Sequence, residues 1–132
     1  MDTSFARPWL RLEGLATFII AGLLYWHFHL NGFWFAVLFL APDLSMLGYL
    51  AGPRFGATLY NLGHNHLAAG IVLAAGLIAD ITGAPRLALL GIGLIWCAHI
   101  GFDRALGYGL KSPESFRLTH LGKIGRDHAP KS

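Results

Sequence analysis

Charged residues are scarce in this chain, and their scarcity argues against a soluble domain. Only 13% of the 132 residues are charged, whereas 55% are hydrophobic. Typical soluble domains carry about 25% charged residues. The composition therefore predicts an integral membrane domain, and a chain of this length is expected to form a single one.

Cysteine and the common catalytic signatures are also scarce or missing. The single cysteine, Cys97, lies in an apolar segment, so the chain cannot form an intrachain disulfide. The sequence has no His-Glu-x-x-His zinc-protease motif, no Walker loop, no glycine fingerprint for dinucleotides and no Gly-x-Ser-x-Gly elbow. Any chemistry must come from a constellation that these signatures do not describe.

Four apolar segments approach the roughly 20 residues that a helix needs to cross a bilayer. They cover about residues 10–28, 33–50, 55–78 and 85–106. Gly, Pro and Asn mark the short turns between them, and short turns make neighbouring helices antiparallel. The predicted fold is therefore all-α, a polytopic antiparallel bundle of four transmembrane helices within residues 1–111, followed by a basic tail at 112–132.

The basic residues predict the orientation of this bundle. Four spans put both termini and the second turn on one side, where nine of the ten Lys and Arg residues fall, leaving only Arg86 opposite. Basic residues favour the cytoplasm, so both termini are predicted to be cytoplasmic. Anionic inner-leaflet lipid is the predicted partner of this basic side, and the net charge of +3 requires no nucleic acid. In the tail, Ser112 is expected to cap a short interfacial helix that runs from Pro113 to Gly122.

Two carboxylates and two histidines interrupt the apolar spans: Asp43, His64, His99 and Asp103. An ionisable group in hydrocarbon costs at least ~2.5 kcal/mol, so each of them needs a partner, a water-filled cavity or a ligand. His99 and Asp103 are four residues apart and share a helix face. At the helical rise, all four residues fall in the predicted cytoplasmic half of the membrane. This convergence indicates a polar site.

Other residues are expected to contribute to this site. Tyr60 and Asn61 lie within one turn of His64, while Glu13 and His120 lie near the cytoplasmic opening, so these four are the candidates for contacting a bound ligand. Glu13 has an alternative role as the ion-pair partner of Arg104, and His120 has one as part of a surface anchor.

Two further residues bear on the geometry of the site. Pro42 removes one helical hydrogen bond, which should free a carbonyl near Leu38 and bend the second span beside Asp43. His66, two positions after His64, should point away from the site.

The sequence resembles a known family along most of its length. The segments LFLAPDLSMLGYLAGP (38–53) and AHIGFDRALGYGLK (98–111), together with residues 60–64 and 119–122, are similar to those of an uncharacterised bacterial family of small four-helix membrane proteins. That family is a domain of unknown function, so the resemblance implies a topology and supplies no activity.

The residue types favour a divalent metal site, because imidazole and carboxylate suit zinc and related transition metals. His64, His99 and Asp103 are the predicted metal ligands, and Asp43 is a fourth ligand or a general base. The corresponding function is metal-dependent hydrolysis of a membrane-embedded substrate. Two other classes stay open: a small transporter, channel or proton-relay protein, in which a homo-oligomer could create a path that one chain lacks, and a structural or partner-binding protein whose polar residues are interhelical glue.

Overall fold

The computed structural model of the protein describes residues 4–83, 87–114, 118–120 and 122–123. Its elements are α1 (Ala6–His27), α2 (Gly32–Leu38), a 3-10 helix (Ala41–Ala51), α3 (Pro53–Gly63), α4 (His66–Ile81), α5 (Leu87–Leu106), β1 (Leu118–Thr119) and β2 (Gly122–Lys123). Four helical stretches are long and apolar enough to cross a membrane: Ala6–His27, Gly32–Ala51, Pro53–Ile81 and Ala88–Leu106. The predicted all-α fold with four spans is confirmed, with boundaries shifted by a few residues.

The last span forms the centre of the bundle. Helix α5 packs along α1 and α4, while the 3-10 helix packs against α3 as a separate hairpin. Leu90, Leu94 and Ile100 of α5 are almost fully buried, whereas large apolar side chains elsewhere are exposed, as with Leu50 at 88%. Outward-facing Leu and Ile are what a lipid-facing surface requires, so burial is concentrated where the bundle must hold itself together.

Glycine sets one turn and one close helix–helix approach in the bundle. Gly52 has a φ of 119°, a conformation that side chains disfavour, and it turns the chain between the 3-10 helix and α3. A Cβ at Gly101 would stand 2.7 Å from the carbonyl oxygen of Gly14, so these residues let α5 approach α1.

The second span changes helix type in the middle. Helix α2 ends at Leu38, where Pro42 was expected to disturb the hydrogen bonding, and the chain resumes as a 3-10 helix at Ala41. The N–H of Asp43 donates to the Leu40 carbonyl at 3.0 Å, three residues back. Eleven residues of 3-10 helix is long for this conformation. Because the rise is about 2.0 Å per residue instead of 1.5 Å, the segment is stretched along the membrane normal.

The predicted third span at about 55–78 is present as Pro53–Ile81, but its helix is broken at His64 and Asn65. His64 has φ −119° and ψ 24°, and Asn65 has φ −111° and ψ 147°, so neither continues the helix. The Asn65 side chain explains the break. Its Oδ1 accepts the N–H of Ala68 at 3.0 Å and caps α4, while its Nδ2 donates to the carbonyl of Asn61 at 2.7 Å.

Side chains satisfy the carbonyls that this break leaves without helical partners. Trp96 Nε1 donates to the Gly63 carbonyl at 2.5 Å, and Arg104 donates to the His64 carbonyl at 2.9 Å. Irregular backbone at membrane depth is tolerated only where protein or water pairs its polar groups. These two residues of α5 thus stabilise the break.

The described part of the tail contains paired strands, and the predicted interfacial helix from Pro113 to Gly122 is wrong there. Strand β1 pairs with β2, and Lys111 forms a bridge with Thr119. Residues 115–117 and 121 lie outside the described residues. The Ser112 hydroxyl does accept the N–H of Glu114, as a cap would. The bridge between Lys111 and Thr119 and the strand pairing at Leu118–Thr119 are not compatible with a helix at those positions.

Candidate metal site

Asp43 and His64 reach the same depth by different routes. Asp43 lies eight positions before Ala51 in the 3-10 helix, and His64 lies eleven positions after Pro53 at the end of α3. The 3-10 rise of 2.0 Å and the α-helical rise of 1.5 Å put both at about 16 Å from the Gly52 turn. The stretched second span therefore brings the carboxylate level with the imidazole.

Helix α5 supplies the other half of the site. His99 and Asp103 stand one above the other on its surface, and Nε2 of His99 lies 3.4 Å from Oδ2 of Asp103. The two histidines meet at 3.1 Å between their Nε2 atoms. Each pairs with a carboxylate from another span, since Oδ1 of Asp43 lies 3.2 Å from Nε2 of His64 and 3.4 Å from Nε2 of His99. The structure thus brings together all four residues singled out in the sequence.

These separations match what a tetrahedral metal would require. Ligand atoms of Asp43, His64, His99 and Asp103 all lie within 4.8 Å of one another. Zinc binds imidazole nitrogen and carboxylate oxygen at 2.0–2.2 Å, and tetrahedral angles at those bond lengths separate ligand atoms by about 3.3–3.6 Å. The described His–Asp and His–His separations run from 3.1 to 3.5 Å. A tetrahedral cation would fit with small adjustments.

The surroundings of His64 orient its ring for ligation. Nδ1 lies 2.9 Å from the Tyr60 carbonyl, which can only accept, so Nδ1 carries the proton and Nε2 presents its lone pair to the site. The ring stacks on that of Tyr60, with centroids 3.8 Å apart and planes 9° apart. A second hydrogen bond that fixes tautomer and ring orientation is the usual arrangement behind a metal-bound histidine.

Aromatic rings form the wall behind His99. Phe39 meets the His99 ring edge-on at 5.4 Å and meets Phe102 at 5.6 Å. Among the described residues, no partner meets the distance and angle requirements for a hydrogen bond to Nδ1 of His99, although the backbone of Phe39 interacts with the ring. Pro42 explains why the Phe39 carbonyl is free to interact with the ring, because proline has no N–H to donate to the carbonyl three residues before it.

Exposure differs among the four side chains and gives the site a direction. The side chains of His64 and His99 are 0% and 2% exposed, Asp103 is 13% exposed and Asp43 is 40% exposed. The site therefore opens beside Asp43. Two carboxylates with two neutral imidazoles carry a charge of −2, so a divalent cation would bring the cluster to neutrality, which burial in a membrane favours.

The other predicted contact residues lie outside the cluster. Tyr60 supports His64 as described, with Lys111 Nζ 5.2 Å from the centre of its ring. Asn61 binds the backbone of Lys111 in both directions, at 2.9 and 2.6 Å, and so holds the segment after α5 against α3. Glu13 and His120 line a separate cavity.

Arg104 differs from its predicted role, and His66 agrees with its own. The expected ion pair between Glu13 and Arg104 is absent from the described residues, where Arg104 donates to the carbonyls of His64 and Tyr108 instead. Backbone carbonyls compete for the guanidinium because the break in the third span needs donors. His66 lines the cavity with Glu13, away from the cluster, as its spacing from His64 predicts.

The sequence reasoning missed Trp96 and the capping role of Asn65. One signal was available: Gly63 followed closely by Asn65 combines a weak helix former with a strong N-cap. No signal identified Trp96, because its contact with Gly63 joins two spans.

Fold and site define a multi-pass helical membrane protein that holds a His/Asp cluster at the junction of three spans. The family model described as Domain of unknown function (DUF4260) matches residues 7–124, so the chain belongs to this family. No curated protein and no solved structure matches the chain. Family membership extends over nearly the whole chain but assigns no activity, so function must be argued from the site.

Proposed function

We propose that the protein binds a divalent transition metal, zinc foremost, and uses it to hydrolyse a membrane-embedded substrate. His64, His99 and Asp103 are the proposed ligands, and Asp43 is a fourth ligand or the general base. The observation that carries the proposal is the set of His–Asp and His–His separations of 3.1–3.5 Å between groups from three different spans. Five of the six pairs among these ligand atoms lie close to the spacing that a tetrahedral metal would require.

The unequal exposure of the ligands supports hydrolysis over a purely structural site. Catalytic zinc has three protein ligands and an open position, whereas structural zinc has four closed ones. The two buried histidines, His64 and His99, and the less exposed carboxylate, Asp103, form the ligand set, and Asp43 stands at the open side. A metal there would supply Lewis-acid activation of water. Asp43 could accept the proton that water gives up, because a carboxylate within hydrogen-bond reach is a suitable general base.

Metal analysis of detergent-purified, untagged protein tests this proposal. We expect about one zinc per chain, with most of it lost in His99→Ala. Cys97→Ala is the matched control, because Cys97 is buried two positions away on the same helix and is not part of the cluster. Equal metal content in the wild type and in His99→Ala would exclude His99 as an essential ligand. Hydrolysis of an added lipid ester should stop on chelation.

A transporter is the second candidate, because two spans are discontinuous. The second span changes from α2 to a 3-10 helix and the third is broken at His64. Discontinuous helices in transporters use their unwound backbone to bind ions near the middle of the membrane. Zinc flux into reconstituted vesicles without chemical turnover would favour this candidate over the hydrolase. A dimer could complete such a path, so a homo-oligomer belongs to this second proposal.

We also propose a membrane location and an orientation for the protein. We place it in the bacterial inner membrane with both termini in the cytoplasm, because nine of the ten basic residues lie on one side of the four spans. Because these residues are basic, we also propose anionic lipid as the partner of the protein at the inner leaflet.

A further inference from the structure

A second polar cavity lies beside the cluster and contains none of its four residues. Its volume is about 640 Å³, and its polar lining comes from Glu13, Thr17, Asn65, His66, Arg104 and His120. Arg104 connects the two sites, because its guanidinium also holds the carbonyl of His64. The remaining walls are mostly apolar.

Arg104 brings a buried positive charge to this cavity. The residue is only 8% exposed, and its described hydrogen bonds go to two backbone carbonyls. The ion pairs of the described residues all belong to the cluster, so no carboxylate among them lies within 4.0 Å of the guanidinium. Asp103, the acidic neighbour whose charge acts on the guanidinium, belongs to the cluster, so an anion in the cavity would add a direct counter-ion to this buried charge.

The broken third span aims a helix N-terminus into the same space. Helix α4 begins at His66, has 16 residues and is capped by Asn65, and both of these residues line the cavity. The Asn65 side chain takes the N–H of Ala68, which leaves the first N–H groups of the helix for another acceptor. The N-terminus of a helix carries roughly half a positive charge and binds phosphate readily.

His120 adds a hydrogen-bond donor from the tail. Its Nδ1 accepts the N–H of Leu110 at 2.8 Å, so the neutral ring carries its proton on Nε2. Burial lowers the pKa of His120, which favours that neutral donor form. Glu13 is the single carboxylate among the lining residues, and it opposes an anion.

We propose that this cavity binds the phosphate group of an anionic amphiphile. Arg104 and the N-terminus of α4 hold the phosphate, His120 donates to it, and the apolar side chains of Leu10, Ile20 and Leu110 accommodate the chain. Charge complementarity carries the proposal, because a buried guanidinium and a helix N-terminus converge on one cavity. His120 and Glu13 line this cavity and are not part of the cluster, so changes to them test the phosphate site without altering the metal ligands.

Lipid binding to the detergent-purified protein, measured by native mass spectrometry, tests the proposal. Phosphatidic acid should bind more tightly than phosphatidylcholine. The substitution His120→Phe should lower the affinity for phosphatidic acid several-fold. The substitution Glu13→Gln should raise the affinity for phosphatidic acid about fivefold, because it removes a negative charge from the cavity lining. Asp80→Asn is the matched control, since it removes an exposed carboxylate at the other end of α4 and should change nothing.

The source of the phosphate is resolved by a parallel titration with inorganic phosphate. Binding of phosphatidic acid alone identifies a lipid headgroup, and equally tight inorganic phosphate identifies a free phosphate site. Both results support a phosphate site if Glu13→Gln tightens binding. Equal binding of the two lipids, or no response to Glu13→Gln, would overturn it. Zinc content should be unchanged in Glu13→Gln, which keeps this test separate from the metal proposal.

Discussion

Asp43→Asn separates a metal site from a hydrogen-bonded structural network. The substitution keeps the volume and hydrogen-bonding capacity of the side chain but removes its charge. In a structural network, Asp43 contributes through its two imidazole contacts at 3.2 and 3.4 Å. Interhelical contacts of this kind average ~0.6 kcal/mol, and Asn would retain part of them, so the free energy of unfolding should fall by about 1 kcal/mol or less.

A metal site predicts a different pattern from the same substitution. Asp43 and Asp103 present like charges within 4.8 Å, so without metal the Asn variant should be at least as stable as the wild type. With zinc at 100 times the wild-type dissociation constant, the wild type gains about 2.7 kcal/mol. A 100-fold loss of affinity reduces that gain to about 0.4 kcal/mol.

Thermal unfolding of the detergent-solubilised proteins, with chelator and with graded zinc, measures both quantities. The sign under chelation is decisive, because the two interpretations predict opposite changes. A variant that is less stable than the wild type in chelator, yet gains the same stability from zinc, would refute the role of Asp43 as a metal ligand, and unchanged turnover in that variant would also refute its role as the general base. Asp80→Asn provides the control for loss of one carboxylate elsewhere.

Three further predictions concern the orientation, the helix break and the tail. Reporter fusions at residues 31 and 83 should be outside and a C-terminal fusion inside, and a periplasmic C-terminus would contradict the assigned sidedness. Trp96→Phe leaves the partly buried carbonyl of Gly63 without its donor and should cost about 1 kcal/mol in thermal unfolding, whereas a change below ~0.5 kcal/mol would show that this bond does not matter. Burial lowers the pKa of His120, and the nearby Arg104 lowers it further, so the unfolded chain binds this proton more readily. Docking of the tail should therefore weaken as the pH falls below ~6.5, measured as lower amide protection factors in residues 107–123 after the exchange rates are corrected for their intrinsic pH dependence. Protection factors that do not change between pH 7 and 5 would contradict this.

The fold was predictable because hydrophobic length and turn residues act locally. Each span needs about 20 apolar residues, and those runs can be read directly from the chain. The cluster was predictable for a related reason, since ionisable residues are rare in membrane spans and four antiparallel helices fix their depths. Asp43, His64, His99 and Asp103 were therefore identified before their distances were known.

The helix types and the tail were less predictable because they depend on contacts between spans. The 3-10 helix at Ala41–Ala51 follows a proline, which signals a disturbance without specifying its form. The break at His64 is stable only because Trp96 and Arg104 of another helix satisfy its carbonyls. Lys111 and Thr119 pair in the tail, although the local sequence favours a helix start at Ser112. Tertiary contacts overrode local preference in each case.

The break in the third span should be a requirement for metal binding, and Asn65 offers the test. An unbroken helix would return the His64 carbonyl and ring to helical geometry and remove Nε2 from its position 3.1 Å from His99. Asn65→Leu removes the cap of α4 and the bond to the Asn61 carbonyl, which favours a continuous helix. We expect four spans to persist but bound zinc to be lost. Asn65→Ser is the matched control, because serine caps helices as well as asparagine does and should retain the metal. Full zinc content in Asn65→Leu would show that the cluster forms without the break.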